Sequence, residues 1–334
     1  MERKPARQLL RWGLAASTSV GPLTMPAAYA DCQLAKIIEL PVSEEHPQPS
    51  IPVEINGHAE HFVIDSGAID NMVSAAVASQ LKLQTYYPAN ASVRRRGVPA
   101  ARPIEIARIK ELKVAGMTIK DGELSVIGGD ASSDGVLGQN VLQHFAVEYD
   151  FGDGMMRLFI SNGCQSAKFA YWLEPDQQYS SLRIGMVDAS NPYTMGEAYI
   201  NGHRIKVAFD SGMSRSLLTR EAAERIGIKL KGEDVVDIGY TKRIGWDPVK
   251  THVVRVKSFK IGDNEQIANI RIPVGDVQLR SVDMLLGTDF FMAHRIIVGN
   301  KEERLLMSYK GGPVFDSARE TDAPGSQTPV NNLK

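Results

Sequence analysis

Three things are scarce in this chain, and each scarcity removes a class of protein. Charge of one sign is not in excess: 38 Lys and Arg face 39 Asp and Glu, for a formal net charge of −1. No basic field therefore points to nucleic acid. Long apolar runs are missing, and no stretch approaches the roughly 18 uninterrupted apolar residues of a membrane span. Cysteine is limited to Cys32 and Cys164, with no CxxC pair, which is too few for a structural zinc site. His58-Ala-Glu-His61 falls on an expected hairpin turn with no third ligand in view, so no metal and no organic cofactor is expected.

What is present is ordinary in bulk, with 43% hydrophobic and 23% charged residues. At 334 residues the chain is long enough for two domains. Its first 30 residues begin basic (Arg3, Lys4, Arg7, Arg11), continue through a modestly apolar stretch from Trp12 to Met25, and close on Ala28-Tyr29-Ala30. That is the pattern of a secretory signal peptide, against the alternative of a disordered leader. The expectation is an exported protein, periplasmic or secreted, cleaved near Ala30. An oxidising compartment would let Cys32 and Cys164 pair, closing a long loop for about 4–5 kcal/mol in the chain-entropy model. The alternative is two unpaired thiols.

The chain also repeats itself. IPVEINGHAEHFVIDSGAIDNMVS (51–74) aligns with MGEAYINGHRIKVAFDSGMSRSLLT (195–219). Asn56-Gly57-His58 matches Asn201-Gly202-His203, and Asp65-Ser66-Gly67 matches Asp210-Ser211-Gly212, each pair offset by 145. The offset reaches 147 at Leu112-Lys113-Val114 and Phe259-Lys260-Ile261. It is 149 at Asp134-Gly-Val-Leu-Gly138 and Asp283-Met-Leu-Leu-Gly287, a drift that small loop insertions produce. Each copy reads as strands with one or two short helices. Asn-Gly marks a hairpin, Ser74 and Thr219 suit helix N-caps, and a second short helix follows Gly138 and Gly287. The expected division is a signal peptide over 1–30, an N-terminal lobe over 31–165, a linker over 166–182, a C-terminal lobe over 183–313 and a disordered tail over 314–334.

One Asp-Ser-Gly would be an ordinary turn at a strand end. Two at matched positions of a repeat are different, because a pseudo-two-fold pairing of the copies brings Asp65 beside Asp210. Two carboxylates within hydrogen-bond reach cannot both ionise cheaply and hold one proton between them. Such a pair can take a proton from a water and give one to a carbonyl, and it titrates as a unit. Ser66 and Ser211 are expected to fix the carboxylates across the pair. Gly67 and Gly212 are expected to let the backbone pass close to them.

Apolar-Asp-Ser-Gly, then a helix, then the apolar-apolar-Gly of Val136-Leu137-Gly138 and Leu285-Leu286-Gly287, resembles the aspartic proteases of the retropepsin and pepsin group. The proton sharing invoked above is the known property of that group's dyads. The copy size is nearer a retropepsin monomer than a pepsin lobe. The resemblance, over roughly residues 35–310, implies a mainly β fold of two tandem retropepsin-like barrels related by a pseudo-two-fold axis. It further implies an aspartic endopeptidase with Asp65 and Asp210 catalytic, an extended peptide or protein as substrate, and no need for dimerisation. Flaps closing over the peptide would fall at Arg94–Ala101, with Gly97, and at Gly239–Trp246, with Tyr240 and Trp246 as substrate contacts. Arg94-Arg95-Arg96 reads as a solvated charge run rather than a specificity element. Ser stands in both motifs where the family more often has Thr, Met213 where a small residue is common, and Gln139 and Thr288 where retropepsins often have Arg. Those departures keep open a second reading, a peptide-binding protein with this fold and little or no turnover. A glycosidase with paired carboxylates is a third, disfavoured by the symmetry of the repeat.

Overall fold

A computed structural model describes residues 32–43, 48–88, 105–128, 133–164, 167–185, 193–232, 235–241, 249–279 and 281–315. All of them fall within one compact unit, Asp31–Lys334. The chain is mainly β, as the repeat implied. After β1 (Gln33–Pro41), the first copy runs β2 (Ser50–Ile55), β3 (His58–Ile64), β4 (Met72–Ser74), α1 (Ala75–Gln80), β5 (Gln84–Tyr86), β6 (Ile106–Val114), β7 (Met117–Ile127), β8 (Gly135–Leu137) and α2 (Gln139–Leu142). β9 (Ala146–Asp150) and β10 (Met155–Asn162) follow. The second copy opens with β11 (Ser180–Arg183) and repeats the order: β12 (Met195–Ile200), β13 (His203–Phe209), β14 (Leu217–Thr219), α3 (Arg220–Arg225), β15 (Val236–Thr241), β16 (Val249–Ile261), β17 (Glu265–Gly275), β18 (Met284–Leu286) and α4 (Thr288–Met292). β19 (His294–Gly299) and β20 (Arg304–Tyr309) close it.

The strand orders β2-β3-β8-β4-β7-β6-β5 and β12-β13-β18-β14-β17-β16-β15 are the same path taken twice. Pairing of β2 with β6, and of β12 with β16, closes each into a six-stranded barrel with β5 or β15 outside it. Local chemistry explains the landmarks. The Asn56 and Asn201 side chains each accept two backbone N–H bonds, from Lys110 and Glu111 and from Lys257 and Ser258, so each hairpin turn is tied to a neighbouring strand. Ser74 and Thr219 cap their helices by accepting from Val77 N and Ala222 N, both at 3.1 Å.

A third sheet, β1-β10-β9-β19-β20-β11, runs through both copies. Its order is palindromic, and the antiparallel seam between β9 and β19 pairs Tyr149 with Ile296 and Val147 with Val298. β9 is buried along its whole length. One face joins the main core, while Phe169 and Ala170 cover the other together with Cys164, Phe159, Ile297 and Leu306. Two acids can lie in such a strand because cations meet them. Glu148 is bonded by Arg157 (2.6 Å) and Arg295 (2.8 Å), and Asp150 by Lys310 (2.7 Å). Cys32 and Cys164 are joined by a disulfide at the end of the β1–β10 pairing, next to the register pair Gln33 and Asn162.

The segment 166–182, read as a linker, carries the buried Phe169 and Ala170 and the start of β11. Val314 and Phe315, at the head of the expected tail, are buried too, and Phe315 packs edge-on to Phe259. β1 lies in the shared sheet, so residues 33–41 are a structural strand of the molecule.

Candidate active site

β3 and β13 both end in a fully buried run, Phe62-Val63-Ile64 and Val207-Ala208-Phe209, and each delivers one aspartate. The strand pairing carries on one residue further, since Asp65 N donates to Leu137 O (3.0 Å) and Asp210 N to Leu286 O (2.8 Å). The backbone then turns, with Ala68 N returning to Asp65 O and Met213 N to Asp210 O, both at 3.1 Å. Asp65 and Asp210 keep 4% and 2% of their surface exposed, so both carboxylates lie below the molecular surface.

The two loops hold each other. Ser66 N donates to Ser211 Oγ and Ser211 N donates to Ser66 Oγ, both at 3.0 Å. Each hydroxyl in turn donates across to the other strand, Ser66 Oγ to Phe209 O (2.9 Å) and Ser211 Oγ to Ile64 O (2.7 Å). Four buried bonds, two from each copy, satisfy the amide and the hydroxyl of each serine. Reciprocity of this kind requires a local two-fold axis between the loops.

The glycines locate the carboxylates relative to that axis. A Cβ on Gly67 would fall onto the Asp210 carboxylate, and a Cβ on Gly212 onto that of Asp65. Each carboxylate therefore rests against the glycine of the opposite copy, and only glycine admits that approach. Gly67 N also donates to Asp65 Oδ1 at 2.8 Å. Close behind, a Cβ on Gly138 would meet Asp70 O at 2.6 Å, and one on Gly287 the Arg215 carbonyl carbon at 2.6 Å, where β8 and β18 pass under the loops.

Support comes from side chains that the sequence reading passed over or took for departures. Gln139 Nε2 donates to Ser66 O (2.9 Å) and Thr288 Oγ1 to Ser211 O (3.0 Å), so matched first-turn residues pin the carbonyl beside each aspartate. Gly138 N donates to Asn71 Oδ1 (2.8 Å) and Gly287 N to Ser216 Oγ (2.9 Å). The available signal was position: each pair sits at one offset of the repeat. Met213 is accommodated in a buried cluster with Ala208, Leu217, Val277 and Leu285. Below Ser66 lies Tyr149, whose phenol is pushed upward first by complete burial and then by the negative charge of Asp65, so it stays protonated.

Asp65, Ser66, Gly67, Asp210, Ser211 and Gly212 are thus brought together. Tyr240 lies on β15 with 69% of its surface exposed, and no hydrogen bond or ring contact among the described residues links it to them. Gly97, Trp246 and Arg94-Arg95-Arg96 lie outside the described residues. Among the described residues no group of three His, Cys, Asp or Glu side chains is placed to hold a metal ion, and no helix is long and apolar enough to cross a membrane.

Two barrels meeting through paired Asp-Ser-Gly loops define an aspartic-protease fold. A family model of gag-polyprotein putative aspartyl proteases matches residues 51–144, and one of aspartyl proteases matches residues 196–290, one in each copy. The chain belongs to the retropepsin-like aspartic proteases and carries two of their domains in tandem. Among solved structures, it is similar to a crystal structure of a retropepsin-like aspartic protease from Rickettsia conorii, with 18% identity over 39% of this chain and 94% of that one and a TM-score of 0.30. No curated protein is significantly similar to the chain in sequence.

Proposed function

We propose that the protein is a single-chain aspartic endopeptidase in which Asp65 and Asp210 share one proton and activate a water. The observation that carries this reading is the reciprocal exchange between Ser66 and Ser211 with each carboxylate set against the opposite glycine. The ionised carboxylate takes a proton from the water as its oxygen attacks the scissile carbonyl carbon. The protonated carboxyl gives its proton to the carbonyl oxygen. Collapse of the resulting diol breaks the C–N bond, and the proton held by the dyad passes to the leaving nitrogen. No covalent enzyme intermediate arises.

The substrate is an extended peptide held by main-chain hydrogen bonds. Both carboxylates come from one chain, so activity does not require a dimer. The Cys32–Cys164 disulfide supports residence in an oxidising compartment, with residues 1–30 acting as an export signal.

The test is cleavage of a mixed peptide library from pH 3 to 8 by the protein and by Asp65→Asn and Asp210→Asn. Turnover lost in both folded variants is the expected result. Activity surviving either substitution would sink the dyad. Peptide binding without cleavage by the unaltered protein would favour a peptide-binding role for the fold.

A further inference from the structure

The hairpins β6–β7 and β16–β17 hold matched places in the two barrels, and their outward faces differ in charge. In the first, Arg108, Lys110, Lys113 and Lys120 are interleaved with Glu111, Asp121 and Glu123. Register sets Arg108 across from Glu123 and Lys120 across from Glu111. Lys113 meets Glu54 of β2 at 2.9 Å, and Arg108 meets Glu123 at 3.5 Å. At the matched positions of the second copy all four acids are gone. Tyr199 stands for Glu54, Ser258 for Glu111, Asn269 for Asp121 and Arg271 for Glu123. The cations Arg255, Lys257 and Lys260 are kept, and all three are exposed. At Asp121 and Asn269 the backbone is the same, left-handed with φ of 50° and 51°, a conformation that Asp and Asn accept. Charge is what changed there.

Arg255 and Arg271 are thereby directly opposed across the strand pair, an arrangement of like charges that costs stability. Among the described residues no acid pairs with Arg255, Lys257, Lys260 or Arg271. Arg255 gives one N–H to Asn269 Oδ1 (2.9 Å), which leaves the rest of its fork for another acceptor. Both arginines line a hollow of about 460 Å³, together with Tyr309 and the chain from Gly312 to Phe315. A hollow of about 510 Å³ on the first hairpin has Arg108, Asp121 and Glu123 in its lining and so carries both signs. Guanidinium forks fit carboxylates two bonds at a time. Residues on one face of a strand recur about every 6.6 Å, which is also how an extended chain presents alternate side chains. We propose that the outer face of β16–β17 docks an acidic stretch of extended polypeptide. Arg255 and Arg271 grip one carboxylate over the hollow, and Lys257 and Lys260 meet those that follow. The choice of partner rests on the endopeptidase reading, since a protease acts on polypeptide, and the surface holds its substrate by a stretch away from the scissile bond.

The test measures, by fluorescence anisotropy, binding to the full chain of a peptide with Glu at alternate positions and of its Gln counterpart. At low ionic strength the Glu peptide is expected to bind about tenfold more tightly, and the difference to vanish in high salt. Asn269→Asp with Arg271→Glu gives the second hairpin the acids that the first one carries, and is expected to abolish the difference. If that variant does not fold, Lys257→Gln with Lys260→Gln is expected to reduce it severalfold. Lys110→Gln, on the first hairpin, is expected to leave it unchanged. Joined to a cleavable apolar sequence, the Glu stretch is expected to lower KM by about tenfold with kcat unchanged. Equal binding of the two peptides, or a preference that the substitutions on the second hairpin leave intact, would overturn the proposal. So would an oligonucleotide of equal charge bound as tightly as the Glu peptide, which would make the face a general anion site. Binding as expected with no peptide cut would keep the docking surface and remove the endopeptidase. Cleavage that Asp65→Asn abolishes but that ignores the Glu stretch would do the reverse.

Discussion

Where the two Asp-Ser-Gly loops meet, the lobes are close to interchangeable, and elsewhere in their interiors they are not. The Ser66 and Ser211 amide bonds have the same length, 3.0 Å, and each serine makes the same two contacts. Away from those loops, matched positions diverge in kind. His294 is fully buried, with Nδ1 on Phe290 O and Nε2 on Glu265 Oε1, both at 2.7 Å, and its ring stacked on Phe290. Its match 149 residues earlier is Phe145. The reverse exchange occurs at the third residue of β3, where Glu60 is buried although its match, Ile205, is apolar. An interface that must be its own partner constrains both copies at once. The interior of one lobe answers only to itself, so it can exchange an apolar contact for a polar pair or the reverse.

The largest effect should come from breaking the polar pair that only the C-terminal lobe has. Glu265→Ala leaves the buried His294 ring without its partner at Nε2 and should cost about 3 kcal/mol in urea unfolding, as a buried polar group stripped of its hydrogen bond does. His294→Phe combined with Glu265→Gln, which brings that lobe closer to its twin, should lose much less. Equal losses in the single and double variants would mean that the pair is not a unit.

Next come the serines, where symmetry itself is at stake. Ser66→Ala removes the donor to Phe209 O and the acceptor for Ser211 N, and Ser211→Ala removes the equivalent two. Each should cost about 2–3 kcal/mol, because the groups left behind are buried, and the two losses should agree closely. Clearly unequal losses would show that one copy leans on the other.

The repeat, the barrels and the paired loops were legible in the chain because each depends on short patterns: Asn-Gly before β3, an aspartate after an apolar run, glycine where another backbone or a carboxylate must approach. Gln139 and Thr288 were visible as residues but read as departures. Their role depends on the carbonyls of Ser66 and Ser211 lying one turn away, a distance no local pattern encodes. The covering of the shared sheet by Phe169 was hidden for a similar reason, since its partners Ile297 and Leu306 are remote in sequence. Glu60 was missed because one charged residue in an alternating strand looks like an outward position. It takes the closed barrel to bury it.

Glu60 gives the third test. Burial first, and then the nearby charge of Asp134, raise its carboxyl above the usual range, opposed by His58 and His61. A folded-state value above the unfolded one means that the folded chain holds the proton more tightly. Its favourable contribution is therefore present at low pH and is lost as pH rises through the raised value. Glu60→Ile, the residue of the other lobe, should flatten that part of the stability profile. It should also stabilise the protein by about 1 kcal/mol at pH 8 by removing a buried charge. An unchanged profile would place the titration elsewhere.

The smallest effect is the most informative about how the lobes came to differ. Asp134 and Asp283 do the same local job, each accepting a backbone N–H at 2.9 Å, from His61 and from Lys206. Asp283 is also met by Arg225 at 2.9 Å, and the match of Arg225 is the exposed Gln80 at the end of α1. Gln80→Arg should gain at most about 0.5 kcal/mol, as a partly exposed ion pair does. Its second consequence is worth more than the gain. A cation beside Asp134 reduces the field that raises Glu60, so the stabilisation should grow with pH in the unaltered background and not in Glu60→Ile. A double-mutant cycle at pH 5 and pH 8 reads this coupling directly. A cycle that closes to zero at both values would mean that Asp134 and Glu60 act independently, and that the lobes diverged at single sites rather than as linked pairs.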